Sequence, residues 1–252
     1  MRKSERAFQF AHQPIVKVNS GSVVAHELLL REYEGKDTEA FLNDSNLFLE
    51  HLVGLAESKA LTLKALMMNG GVKTLFVNFT PDQISSQLFV RALNTFYENG
   101  IAPSTVAIEV TEHIDPSDKE RFYNHLGYAR RNGHPIVVDD FGCGISNFQH
   151  VTTIRPSIVK TDKELIQSAA RDPWHKKALK ALVRYIHDME ARVIIEGVET
   201  EEQFNVAQFC DADFAQGYYF AKPELSKIDC PNIIDMMQAR QFKLAVVNSD
   251  NI

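Results

Sequence analysis

The sequence predicts an α/β fold, a closed barrel of the (βα)8 type in which the first two strands form an antiparallel hairpin. Three observations carry this. Short β-branched runs alternate with longer stretches of helical periodicity, the pattern of a largely parallel sheet covered by helices. There are eight such runs, QPIVKV (13–18), SVVAHELLL (22–30), TLFVNF (74–79), TVAIEV (105–110), PIVVDD (135–140), SIVKTD (157–162), RVIIEG (192–197) and FAQGYYF (214–220), six or seven of them with a helix after them. No low-complexity linker or shift of composition divides the chain, so one domain over 1–252 is expected, with its motifs between about 8 and 225 and a C-terminal helix and tail beyond. Eight units favour closure over an open doubly wound sheet; periodicity alone leaves the open sheet as the alternative.

Each element has its own reason. Between the first two runs stands only Asn19-Ser20-Gly21-Ser22, too short for a crossover helix, so those runs pair as a hairpin. Helical windows follow at 39–68, 82–99, 117–132, 174–190 and 200–210. The first carries Leu49, Leu52, Val53 and Leu55 and continues through Leu61, Leu63 and Leu66, with room for a break inside it. Asp82 is expected to cap the helix after Pro81, and Asp115 or Ser117 the next one. Gly100 and Gly133 each close a helix ahead of a strand.

Bulk composition narrows the function. At 252 residues and 44% hydrophobic the chain can bury a large core. A net charge of -6 and a pI near 5.9 argue against wrapping long nucleic acid, which needs Lys and Arg on phosphates, but leave room for a small phosphate ligand held by metal ions. The N-terminal stretch MRKSERAFQF lacks an apolar h-region, and nowhere does the chain reach the roughly eighteen apolar residues of a membrane span; the expected location is the cytoplasm. Three cysteines without CxxC spacing suggest neither disulfides nor a cysteine zinc site, and none of the nine histidines forms HExxH.

Barrel active sites lie at the C-terminal ends of the strands. The residues there are Glu27, Asn78, Glu109 with Glu112, Asp139 with Asp140, Lys160 with Asp162, Glu196 with Glu199, and Gln216. Nearly all are acids or amides, and only Lys160 is positive. Carboxylates crowded at one mouth repel one another unless cations neutralise them, and oxygen-only ligation selects hard divalent ions over zinc. Asp139 and Asp140 point to opposite faces of an extended strand, so both reach one site only where the strand breaks, and Phe141-Gly142-Cys143-Gly144 supplies a break. The pair would then suit a two-metal centre for in-line attack on phosphorus; the plainer reading is a pair of turn caps.

These residues, as HQPIV (12–16), ELLLR (27–31), VNFT (77–80), EVTE (109–112), DDFGCG (139–144), KTD (160–162), EGVE (196–199) and QG (216–217), make the chain similar to the EAL-domain cyclic di-GMP phosphodiesterases. The resemblance implies a modified TIM (βα)8 barrel with an antiparallel first strand, and hydrolysis of cyclic di-GMP to linear pGpG with two Mg2+ or Mn2+ ions. It implies that Glu27, Asn78, Glu109 and Asp139 hold one metal and Asp139 with Asp140 the other. Glu196 matches a metal ligand or general base, and Lys160 the residue that holds the attacking water. Glu199 and Gln216 match positions lining the centre, Gln13 and Arg31 match substrate contacts, and Glu112 matches the glutamate anchoring the loop after DDFG, a loop the family couples to homodimer formation.

The chain departs from the family pattern at Leu28, Ile195 and Thr161, in the loop FGCGISNF, and in the shortened segment after Arg31, yet no implied metal ligand is missing. His12 and His26 flank the motifs and read as structural groups. Phe214, Tyr218, Tyr219 and Phe220 read either as core or as a base-stacking surface. Three functions follow: a metal-dependent cyclic di-GMP phosphodiesterase, a catalytically silent receptor or protein-interaction module, and another barrel metallohydrolase acting on a different phosphoester.

Overall fold

In the computed structural model, residues 8–33, 36–37, 51–68, 73–111, 116–142 and 148–225 are described. The sheet opens with the expected hairpin, β1 (Phe8–Lys17) and β2 (Val23–Tyr33), turned through Gly21 at φ 67. A two-residue β3 (Lys36–Asp37) extends β2. Strands β4 (Leu75–Phe79), β5 (Val106–Thr111), β6 (Ile136–Phe141), β7 (Ile158–Thr161), β8 (Arg192–Ile195) and β9 (Phe214–Ala215) then follow in parallel order from β2. β9 closes on β1 through Val16↔Ala215 and Lys17↔Phe214, and the antiparallel strand is therefore the first one. The result is a closed eight-stranded barrel, with β10 (Glu224–Leu225) added outside on β1.

Helices cover the barrel: α1 (Leu52–Met68), α2 (Pro81–Ser85), α3 (Phe89–Glu98), α4 (Lys119–Arg131), α5 (Phe148–Ile154), α6 (Lys163–Arg171), α7 (Pro173–Asp188) and α8 (Glu201–Phe209). α5 and α6 were not expected from periodicity; α5 is short, at the length where apolar spacing says least, whereas α6 is as long as the expected α8 and carries Leu165, Ile166 and Ala169 at helical spacing. The window at 82–99 splits into α2 and α3 around Ser86, whose extended backbone cannot continue a helix. Thr80, not Asp82, caps α2, in a capping box with Gln83, while Asp82 accepts a hydrogen bond from Ser117 N at 2.9 Å. The cap of α4 is Asp118, not Ser117, and Asp115 lies outside the described residues. So do the first part of the 39–68 window and the C-terminal helix and tail beyond 225. No described helix is long and apolar enough to cross a membrane.

Strand alternation builds two concentric cores. Outward residues such as Leu75, Val77, Ile108, Val138, Val159 and Val193 pack under the helices. Inward, Ile15, Ala25, Phe76, Ala107, Val137, Ile158 and Ile194 form a separate apolar plug with Phe214 against it. Leu28 at the ELL triplet is 1% exposed in the outer core, so the larger side chain is accommodated there and not beneath the site. Ile195 likewise packs outward.

Candidate functional site

Two residues nearer the mouth from each plug residue, which is two on along the parallel strands and two back along antiparallel β1, the same inward face turns polar. In this way the plug gives way to Gln13, Glu27, Asn78, Glu109, Asp139, Lys160, Glu196 and Gln216 at the C-terminal mouth. Lys160, 1% exposed, stands at the centre. Its Nζ lies 2.8 Å from Glu196 Oε1, 2.9 Å from Glu109 Oε1, 3.1 Å from Asp139 Oδ1 and 3.4 Å from Glu27 Oε2. Glu27 is held further: Asn78 Nδ2 donates to its Oε1 at 3.1 Å and Gln216 Nε2 to its Oε2 at 2.7 Å. Gln216 Nε2 also reaches Gln13 Oε1 at 3.2 Å, and Gln13 Nε2 donates to Ala221 O at 3.0 Å. All these strand ends therefore converge, as the motif spacing predicts.

Asp139 and Asp140 reach the mouth together by a device the sequence reading misplaced. The strand does not break at Phe141-Gly142; it runs through Phe141 and bulges one residue earlier, between Val138↔Val159 and Phe141↔Thr161. Asp140 absorbs the extra residue in a left-handed conformation at φ 56. A second bulge lies in β2, where Gln9↔Glu32 and Phe10↔Leu30 leave Arg31 without a Cα partner and exposed at the far end of the strand.

Some expected members stand apart. Glu199 is exposed at the approach to α8, its N–H donating to Gln203 Oε1 at 2.6 Å, and it does not join the carboxylate ring. Asp162 turns away to cap α6, accepting from Glu164 N at 2.7 Å. FAQGYYF is a strand only at Phe214–Ala215; Gln216 onward leaves the sheet in a turn, so Tyr218 and Tyr219 are exposed, not core. That turn is possible because Gly217 at φ 157 lets the chain press on Val198, whose carbonyl a Cβ would overlap. Glu112, Cys143, Ile145 and Asn147, and with them the loop to which homodimer formation is linked, lie outside the described residues.

One residue was missed. Lys59 on α1, 4% exposed, donates from Nζ to Asn78 O at 2.9 Å and lies 4.9 Å from the Phe79 ring centroid. A signal existed: Lys59 interrupts the apolar stripe Leu52, Ala56, Leu63 at helical spacing.

The electrostatics follow from burial. Burial disfavours charge on Lys160, but Asp139, Glu109, Glu196 and Glu27 outweigh it and raise its pKa well above the ordinary value. Burial lifts Glu109 well above the usual carboxylate range, against the pull of Lys160 and with Glu27 and Asp139 adding to it. Glu196 is pushed up to about 8, again chiefly by burial. Glu27 moves the other way: burial would raise it, but Lys160 and the hydrogen bonds from Gln216 and Asn78 prevail.

Two carboxylate sets are close enough to share an ion, Glu27 with Glu109 and Asp139, and Asp139 with Asp140 and Glu196, their ligand atoms lying within 4.8 Å of one another. Glu109 Oε2 is buried with no hydrogen-bond partner, which fits the role of a cation ligand. The donors are all oxygen, which suits a hard divalent ion.

A closed barrel with one antiparallel strand and a buried carboxylate ring at its C-terminal mouth defines a class of (βα)8-like proteins equipped to hold divalent cations. Within that class, the EAL domain family model matches residues 2–223, and the chain belongs to that family. The "Probable cyclic di-GMP phosphodiesterase PdeG" of Escherichia coli (strain K12) is 29% identical over 159 residues, 63% of this chain and 31% of that protein. Klebsiella pneumoniae BlrP1, solved as a "calcium/cy-diGMP complex", superposes with a TM-score of 0.77 at 26% identity, over 90% of this chain and 59% of that one. A "standalone versatile EAL protein" from Vibrio cholerae O395 shares the fold at a TM-score of 0.74 and 22% identity, covering 89% of this chain and 95% of that one. The chain spans 28% to 42% of the first three curated relatives it matches.

Proposed function

We propose that the chain is a metal-dependent phosphodiesterase that hydrolyses cyclic di-GMP to linear pGpG with two divalent cations, Mg2+ or Mn2+. The observation that carries this is the charge of the ring. Among the described residues Glu27, Glu109, Asp139 and Glu196 surround the Lys160 ammonium and Asp140 joins the second carboxylate set; with all five ionised, as metal ligation requires, their formal excess over Lys160 is the charge that two divalent ions carry. Glu27, Asn78, Glu109 and Asp139 would hold one ion, and Asp139, Asp140 and Glu196 the other. The ions would supply Lewis acidity toward the phosphate and the water that attacks it.

The remaining work falls to the chain. Lys160, fixed by four carboxylates, is placed to orient the attacking water and to stabilise charge developing on the phosphate. Glu196 is the most open of those four, with a side chain 18% exposed against 0% for Glu109, and is placed to accept the water's proton. The water oxygen bonds to phosphorus, the bond from phosphorus to the ribose O3′ breaks, and the proton taken up by Glu196 is returned to O3′, which leaves as the hydroxyl. Gln13 and Gln216 aim Glu27 from behind. Arg31, exposed at its bulge, offers a planar fork to a substrate phosphate. The similarity to PdeG and to the BlrP1 complex supports this choice of substrate.

The test is chromatography of cyclic di-GMP incubated with the protein and Mn2+ or Mg2+, with EDTA and with Asp140→Asn as controls. Metal-dependent pGpG that vanishes in both controls is expected. Bound but intact cyclic di-GMP would instead make the chain a receptor, and turnover of other phosphoesters alone would make it a different metallohydrolase.

A further inference from the structure

Lys59 occupies a core position that helical spacing assigns to an apolar residue, between Ala56 and Leu63 on the buried stripe of α1. A buried lysine is costly and is ordinarily matched by a carboxylate. Among the described residues Lys59 instead gives its hydrogen bond to a main-chain carbonyl, Asn78 O, and rests against Phe79. Its pKa is drawn down to about 7 by burial, with Glu109 acting in the opposite sense, and either protonation state keeps an N–H to donate.

The carbonyl it binds sits where β4 is paired on one side only: Asn78 faces Glu109 of β5 but has no partner on the β2 side. Pairing between β2 and β4 runs through His26↔Leu75, Glu27↔Phe76 and Leu28↔Val77 and stops there, so Asn78 is the first residue of β4 with no partner in β2. Yet the Asn78 side chain must reach back across that gap to Glu27 Oε1. A methionine or leucine at position 59 would fill the space without holding the strand end.

We propose that Lys59 is a positioning residue for the carboxylate ring: it clamps the main chain at Asn78 so that the Asn78 amide stays on Glu27. The consequence for cations rests on the metal-dependent reading above; the clamp itself does not. Groups that orient metal ligands from behind typically change metal affinity 10–100-fold when lost.

The experiment compares Lys59→Met, which keeps the bulk and loses the donor, with Lys59→Arg, which keeps a donor. Circular dichroism checks the fold. In the metal-free protein, NMR follows the Asn78 side-chain amide resonances, assigned by their absence in Asn78→Asp. Electron paramagnetic resonance then gives the Mn2+ dissociation constant. Lys59→Met is expected to shift and broaden the Asn78 amide signals and to weaken Mn2+ about 10-fold, with Lys59→Arg recovering most of both. If Lys59→Met does not fold, Lys59→Gln is read by the same criteria. An unchanged Asn78 amide with an unchanged Mn2+ constant, even at a lower melting temperature, overturns the proposal and leaves Lys59 a packing residue. Wild-type protein that binds no Mn2+ overturns the metal reading instead, and the amide signals still decide the clamp.

Discussion

The barrel interior has two storeys built from the same strands and spaced two residues apart. The lower is Ile15, Ala25, Phe76, Ala107, Val137, Ile158 and Ile194; the upper is Gln13, Glu27, Asn78, Glu109, Asp139, Lys160 and Glu196. The lower storey is held by removal of apolar surface from water, which needs no particular geometry beyond shape. The upper storey is held by opposing charges out of water, where every group depends on its partner's exact placement and losing one leaves the rest uncompensated. The difference teaches where stability and chemistry are each spent: the plug makes the barrel rigid so that a costly polar ring can be kept above it.

The comparison breaks hardest at Lys160. Lys160→Met removes the ammonium that pairs with Glu27, Glu109, Asp139 and Glu196, and should destabilise the metal-free protein by about 3–5 kcal/mol. Denaturant melts with and without Mn2+ check this: the loss should shrink when the cation is present, and hydrolysis of cyclic di-GMP should fall about 10²–10³-fold. Phe76→Ala, in the lower storey, should cost stability of about 3–5 kcal/mol, without the Mn2+ dependence and with kcat per folded molecule nearly intact. A melt of that variant rescued by Mn2+ as strongly as Lys160→Met would mean the storeys are not energetically distinct.

The smallest effect lies in neither storey and is a matter of pH. His12 and His26 meet edge to face at 5.2 Å between ring centroids on the hairpin. Burial lowers His26 from 6.5 to about 4, with His12 adding to it. The unfolded chain therefore takes up a proton near 6.5 that the folded chain refuses until about 4, so stability is lost as pH falls through that window. Glu196 has the opposite sign: raised from 4.5 to about 8, it favours the metal-free fold at low pH, and that contribution is lost as pH rises toward 8. Melting temperatures between pH 4 and 6.5 should fall less steeply on acidification in His26→Leu than in the wild type. Equal slopes would place the acid sensitivity elsewhere.

Much of this was legible before any coordinates. Glu27, Asn78, Glu109, Asp139, Lys160, Glu196 and Gln216 could be named because a strand puts every second residue on one face and a barrel gathers strand ends at one mouth. Asp162 follows such an end but its side chain caps α6, and Glu199 lies past its strand at the approach to α8, where its main-chain N–H donates to Gln203. α5 escaped notice for lack of length, α6 although its apolar residues stand at helical spacing, and Lys59 because a lysine in an apolar stripe is easily taken for a solvated residue.

By itself the sequence determined the hairpin, the alternation of strand and helix, and which residue stands at each strand's end, because turn chemistry and side-chain period act over a few neighbouring residues. Only the tertiary structure decided that β9 closes on β1, that the extra residue of β6 falls on Asp140, that Lys160 meets acids from four other strands, and that Lys59 reaches Asn78 from α1. Those contacts join residues up to about two hundred positions apart, as with Gln216 and Glu27, and their geometry is set by how the closed sheet packs, which no local period records.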